Sequence, residues 1–262
     1  KIIFTLTILV ITQAVFGLTI GTAPGHINFG TLYKGQKVRS SIYLLTRSTN
    51  KFLVSASTTK PHYGIFMSGS KDSFIPKEAS EEAVEDWVNF PENPILISPD
   101  KPDIKIQLSS GGTVSADANV DFVLNVPNDA EPGYHAGAIS LNPDSQGGEG
   151  GTRVQTLGLT RFYFWFRVDG EAKRKGKIMD ILAQRTGETE ARIDVLFQNT
   201  GSTTMITELE NIKIFDEENN PVASIPGSTA RVSPQNSKIF STFWRGEKVK
   251  PGKYIMIAEV NY

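Results

Sequence analysis

The chain has 262 residues, 27 basic against 28 acidic, and no cysteine. That balance excludes recognition of nucleic acid or anionic membranes by bulk charge, and the missing cysteines exclude disulfides, thiolate metal sites and a Cys nucleophile. The length holds one large or two ordinary cores, and 23 Gly with 14 Pro suit an all-β protein rich in turns.

Residue 1 is a lysine, residues 2–11 are an apolar run, and residues 13–17 end on small side chains. This reads as a secretory signal peptide over 1–17, cleaved after Gly17, which puts the protein outside the cell or on its surface. If the segment is retained, it serves as a membrane anchor or as a strand donated to a neighbouring subunit.

From residue 18 the pattern becomes short strands separated by turn chemistry. Strands are expected at 18–22, 26–33, 37–46 and 51–58, with turns at Pro24-Gly25 and Lys34-Gly35. Residues 77–86 are helix-favouring and acidic, so one or two exposed helical turns leading into Trp87 are expected as an insertion on a first β-sandwich. Strands resume at 95–98, 104–108, 120–126 and 134–142, and the loop 146–151 (QGGEGG) is the clearest flexible segment.

Residues 157–168 (LGLTRFYFWFRV) carry the strongest β signal. Thr160, Phe162, Phe164, Phe166 and Val168 fall on one face, and Leu159, Arg161, Tyr163, Trp165 and Arg167 on the other. An all-aromatic face must be hidden, either in its own core or in another chain. Placed last in the first domain (18–170), the strand is expected to turn its Phe face to that core. The Tyr163 and Trp165 face is then free for the second domain or a partner.

A polar linker follows at 169–176, and a second immunoglobulin-like sandwich is expected over 177–262, with strands near 177–184, 190–198, 204–215, 221–224, 229–232, 237–244 and 253–262. The fold class is therefore all-β, two tandem sandwiches after an N-terminal hydrophobic segment.

The chemistry-bearing residues are scattered. His26, His62 and His135 lie in separate segments without metal-binding spacing and read as turn or strand-edge residues. Glu78, Glu81, Glu82, Glu85 and Asp86 read as a solvated acidic face, because acid–base catalysis needs carboxylates held apart in unlike environments. The glycine loop lacks the Lys-Ser/Thr of a phosphate loop, and residues 216–219 read as an acidic turn instead of a calcium loop. Trp87 is expected to plug the first sandwich and Trp244 to be a strand residue of the second. No catalytic, cofactor-binding or metal residue is assigned, no cofactor is expected, and the chain is read as not an enzyme.

Three segments resemble a known type. Residues 24–35 (PGHINFGTLYKG) resemble the opening strands of microbial sandwich domains related to pilus chaperones. Residues 126–137 (VPNDAEPGYHAG) look like a hairpin common in bacterial and archaeal surface proteins. Residues 199–202 (NTGS) and 251–254 (PGKY) resemble turns of the membrane-proximal sandwich in WxL-interacting surface proteins.

This resemblance implies a non-enzymatic protein that binds, supports or displays. By likeness to pilus chaperones, Arg39, Arg161 and Lys177 are candidates for a cationic pair holding a subunit carboxylate. The expected role is a secreted or cell-surface structural protein: an extracellular filament subunit joined by strand donation, or an adhesion scaffold. The alternative is an assembly chaperone lending the Phe162–Val168 strand to an incomplete subunit. Partners are expected to be proteins, by self-association or with other surface proteins, with membrane or cell-wall attachment open and no nucleic acid. Ile20, Ile27, Phe29, Tyr163 and Trp165 are the candidate partner-binding residues.

Overall fold

A computed structural model describes residues 20–48, 51–60, 78–98, 104–107, 111–144, 160–246 and 251–262. The expected signal segment and the glycine loop at 146–151 lie outside the described residues. Among the described residues no helix is long and apolar enough to cross a membrane.

The first half is built from β1 (Ile20–Ala23), β2 (His26–Leu32), β3 (Lys37–Thr46), β4 (Phe52–Thr59), β5 (Val88–Asn89), β6 (Ile95–Ile97), β7 (Ile104–Gln107), β8 (Thr113–Ala116), β9 (Ala118–Asn125), β10 (Gly133–Asp144) and β11 (Thr160–Val168). Two sheets, ordered β1-β3-β9-β5 and β2-β11-β10-β4-β6, face each other, with β7-β8 as a separate hairpin. Alternation dictates the core, since every second residue of a strand points the same way. Ile42 and Leu44, Val120, Phe122 and Leu124, and Phe162, Phe164, Phe166 and Val168 meet in one cluster.

The aromatic strand thus turns its Phe face into its own domain. Its edges are filled as well: β10 pairs with it antiparallel and β2 parallel. Opposite Phe164 stands Gly137, where a Cβ would sit 2.2 Å from the ring's Cζ, so only glycine leaves room for that phenylalanine. The tilted and edge-on contacts of Phe162, Phe164 and Phe166 with Phe122 and Trp87 run through the middle of the sandwich.

The second half comprises β12 (Gly176–Arg185), β13 (Glu190–Asn199), β14 (Met205–Leu209), β15 (Ile212–Phe215), β16 (Pro221–Ile225), β17 (Thr229–Val232), β18 (Ser237–Arg245), β19 (Ile255–Ile257) and β20 (Val260–Asn261). One layer is β12-β13-β18, and the other comes in two pieces, β17-β14-β20 and β16-β15-β19. The break falls at Glu210 and Asn211, and it splits the single strand expected over 204–215. Both pieces contribute to one core with Ile193, Val195, Phe197, Phe240 and Trp244. The architecture is an all-β immunoglobulin-like sandwich in each half; Trp87 is buried in the first core, and Trp244, on β18, is buried in the second.

Two expectations are corrected. Residues 78–84 are not an α-helix: Glu78 is 3-10, 79–84 are irregular apart from a bridge at Ala79, and a 3-10 turn, Glu85–Trp87, forms directly before β5. Helix propensity loses to tertiary pairing here: Ala79 bridges Tyr134, the Ser80 N–H donates to the Tyr134 carbonyl, and the Glu81 N–H donates to the Thr204 carbonyl. The 169–176 segment is also no free spacer. Ser202 and Lys173 exchange hydrogen bonds, the Thr200 N–H donates to the Lys175 carbonyl, and the Ser202 hydroxyl donates to the Glu171 carbonyl. A Cβ on Gly201 would stand 2.1 Å from the Lys173 oxygen, so the turn must present glycine for this segment to lie against it.

Candidate partner-binding surface and interdomain junction

The five residues expected at a partner interface do not form one surface. Ile20 is buried in the first core, and the half-buried Ile27 and Phe29 pack against it, Phe29 lying edge-on to Phe122 at 6.2 Å and Phe164 at 6.3 Å. Tyr163 and Trp165 are on the opposite, outer face of the five-stranded sheet. Trp165 is 7% exposed, packs with Ala136 and Tyr134, and carries the His26 ring stacked on it at 5.1 Å. The cationic candidates do not converge either. Arg39 and Arg161 are on the outward faces of opposite sheets, and Lys177 is exposed on β12.

What the structure does bring together is a polar junction between the two sandwiches. The loop that enters β10 holds Glu131, whose carboxylate accepts from the Thr204 N–H at 2.5 Å, the Thr204 hydroxyl at 2.5 Å and the Ser80 hydroxyl at 2.7 Å. Three donors on one anion make short, charge-assisted bonds. The Glu81 N–H returns a bond to the Thr204 carbonyl at 2.9 Å, so the backbone of Thr204 is held on both sides. Gly133 closes this loop at φ 106°, and a Cβ there would lie 2.2 Å from the Glu78 carbonyl oxygen; another residue would be strained and obstructed at once.

Behind Glu131 lies a second layer. Glu82 accepts from the Glu131 N–H at 2.9 Å and contacts His135 Nε2 at 3.0 Å, while His135 Nδ1 lies 3.0 Å from the Gly133 carbonyl. His135 is 1% exposed and faces the core, stacked on Phe166 and beside Trp87. The strand-edge reading of this histidine does not survive, and the solvated reading of the acidic run holds for the exposed Asp86 but not for its start: Glu81 is buried, Glu82 serves His135 and Glu78 pairs with Arg167. Sequence reasoning missed this cluster because Glu82 and His135 are far apart in the chain. Parity with Phe166 across β10 and β11 was the one available signal.

The outward face of β12-β13-β18 carries a different mixture. Leu182, Ile239 and Phe243 are exposed there, beside an ordered set of charges. The Ser241 hydroxyl and the Arg192 guanidinium both donate to Asp194, and together they hold its carboxyl below the ordinary range. Arg245 donates to Glu190 at 2.6 Å and, with Thr186, lowers that carboxyl too. Of the large apolar side chains exposed among the described residues, Tyr33 and Leu96 are in the first half and the remainder are in the second.

No protein-family model and no curated protein matches the chain. Among solved structures, the chain resembles a protein of unknown function from Porphyromonas gingivalis W83, at 10% identity over 86% of this chain and 83% of that one, TM-score 0.34. It also resembles the E. coli chaperone DraB, at 10% identity over 91% and 89%, TM-score 0.32. A third similarity is to the Salmonella enterica SafA pilin in complex with the SafB chaperone, at 8% identity over 87% and 85%, TM-score 0.31. These are likenesses of strand arrangement, at identities that say nothing of activity or partner. The resemblance to WxL-interacting proteins rests on the sequence motifs alone.

Proposed function

We propose that the protein is a non-enzymatic structural protein of the cell surface, built as two domains, 18–170 and 177–262, that act as one rigid unit in contact with other proteins. The observation that carries this reading is the state of β11. Its phenylalanine face is core and both its edges are paired, so the most aromatic strand of the chain stabilises its own domain and is not on offer to a client. Residues 20–32 likewise complete the chain's own sheets, β1 against β3 and β2 against β11.

The test is Phe164→Asp in the full chain, followed by thermal unfolding and by co-purification. The structural reading expects loss of the folded first sandwich. A folded variant that has shed a co-purifying subunit would contradict it and favour the assembly-chaperone reading. One observation keeps that second reading in view: β2, beside β11, is one of the two edges of its sheet, and a client strand could add there.

A further inference from the structure

We propose that His135 is a proton-operated latch between the two sandwiches: its ring carries protons on both nitrogens in the closed state, and loss of one loosens the hold of the first sandwich on Thr204 of the second. The assignment follows from what the two nitrogens face. Nδ1 lies 3.0 Å from the Gly133 carbonyl, which accepts and cannot donate, so Nδ1 carries a proton. Nε2 lies 3.0 Å from Glu82 Oε2, and the same oxygen accepts from the Glu131 N–H. The Glu82 side chain is 25% exposed and its Oε2 also accepts from a backbone N–H, the role of an ionised carboxylate, which makes Nε2 the donor.

The faces of the ring agree with its edges. Phe166 lies 5.5 Å away, stacked at 9°, and Trp87 lies 5.1 Å away, tilted at 36°; an electron-rich ring face stacked on the imidazole favours its cationic form. Burying an imidazolium is costly unless it is paired and hydrogen-bonded, and both conditions hold. The charged groups around it come from every neighbouring element. Glu82 touches the ring, Glu131 and the buried Glu81 lie one step further toward Thr204, and Glu85 and Asp86 are on the turn carrying Trp87. Arg167, on β11, points to the other side of the sheet, where it meets Glu78 at 3.4 Å.

The connection to the second sandwich is a chain of contacts without a gap. His135 orients Glu82, Glu82 holds the Glu131 backbone, and Glu131 holds Thr204. A neutral ring that keeps its Nδ1 proton for Gly133 turns a lone pair on the Glu82 carboxylate. The pair then repels, Glu82 moves out to water, and the Glu131 N–H loses its acceptor. The charged form belongs to the closed state, so protonation of the ring favours closure and loss of the proton weakens it.

Long-range 1H–15N spectra of the full chain report the ring state, and hydrogen exchange of the Thr204 amide, corrected for the intrinsic pH dependence of exchange, reports the junction. The expected result is a His135 ring protonated at both nitrogens in the closed state. As it becomes singly protonated, the Thr204 protection factor falls about tenfold, the weakening of one charge-assisted hydrogen bond. Because His135→Gln changes a buried core position, the half-exposed Glu82→Gln is the companion variant. It keeps an acceptor for the Glu131 N–H and removes the pH dependence of Thr204 protection. A singly protonated His135 throughout the folded range overturns the proposal, as does Thr204 protection that ignores the ring, or one that keeps its pH dependence in Glu82→Gln.

Discussion

Glu131 accepts two hydrogen bonds from Thr204 across the junction and a third from Ser80 in its own half. Replacing it with alanine strands the Thr204 N–H and leaves two hydroxyls to find water, and donors deprived of a charged acceptor cost about 2 kcal/mol in sum at a half-exposed site. Glu131→Ala is therefore expected to lower stability by that amount in urea unfolding, while Asp129→Ala, in the same loop, changes little. Asp194 and Glu190 make a separate, pH-dependent prediction. Their carboxyls are held below the ordinary range, Asp194 chiefly by the Ser241 hydroxyl and Glu190 chiefly by Arg245. Each therefore contributes stability that is present above the ordinary carboxylate range and lost as pH falls through the depressed value. Both are at the surface, so the effect is small and screened by salt. Acid titration of the second sandwich, followed by its unfolding midpoint, should show a decline that Asp194→Asn removes in part. These residues were the least legible in the sequence. The motif at 126–137 predicts a turn, and nothing in that turn says that Glu131 will meet Thr204 across the junction.

Strands were legible because alternation is a local property. The period-two pattern of 160–168 predicted a Phe face and a Tyr-Trp face, and the core contains the first of these. What alternation cannot give is a neighbour, so the parallel pairing of β2 with β11 was outside its reach. Nor does it detect strands as short as β5, two residues long, which exists because β9 offers it an edge. The helical expectation over 77–86 failed for a related reason, since backbone groups of 79–81 bond to Tyr134 and Thr204 in place of one another. At this scale the account predicts that Phe164→Ala costs about 3–5 kcal/mol, the loss of a fully buried phenylalanine. Gly137→Val is expected to be at least as damaging, because its side chain would occupy the space of the Phe164 ring. Chemical unfolding checks both, and a mild Gly137→Val would mean that β10 and β11 can separate without loss.

The whole molecule is two cores joined by a polar junction, with the 169–175 segment sewn onto the 199–204 turn of the second sandwich. Composition and turn spacing predicted two sandwiches, because core size and strand length follow from amounts of apolar and turn-forming residues. They could not predict that the halves would be fixed to one another, which depends on a handful of hydrogen bonds between distant segments. The proposed structural role requires the two halves to be rigidly joined. The chain has no cysteine, so spin labels placed by Arg39→Cys and Lys238→Cys, exposed positions on β3 and β18, report the interdomain distance without background. The account predicts one narrow distance distribution by pulsed electron paramagnetic resonance, which broadens when Glu131→Ala is added. A broad distribution with Glu131 intact, unchanged by its removal, would contradict it.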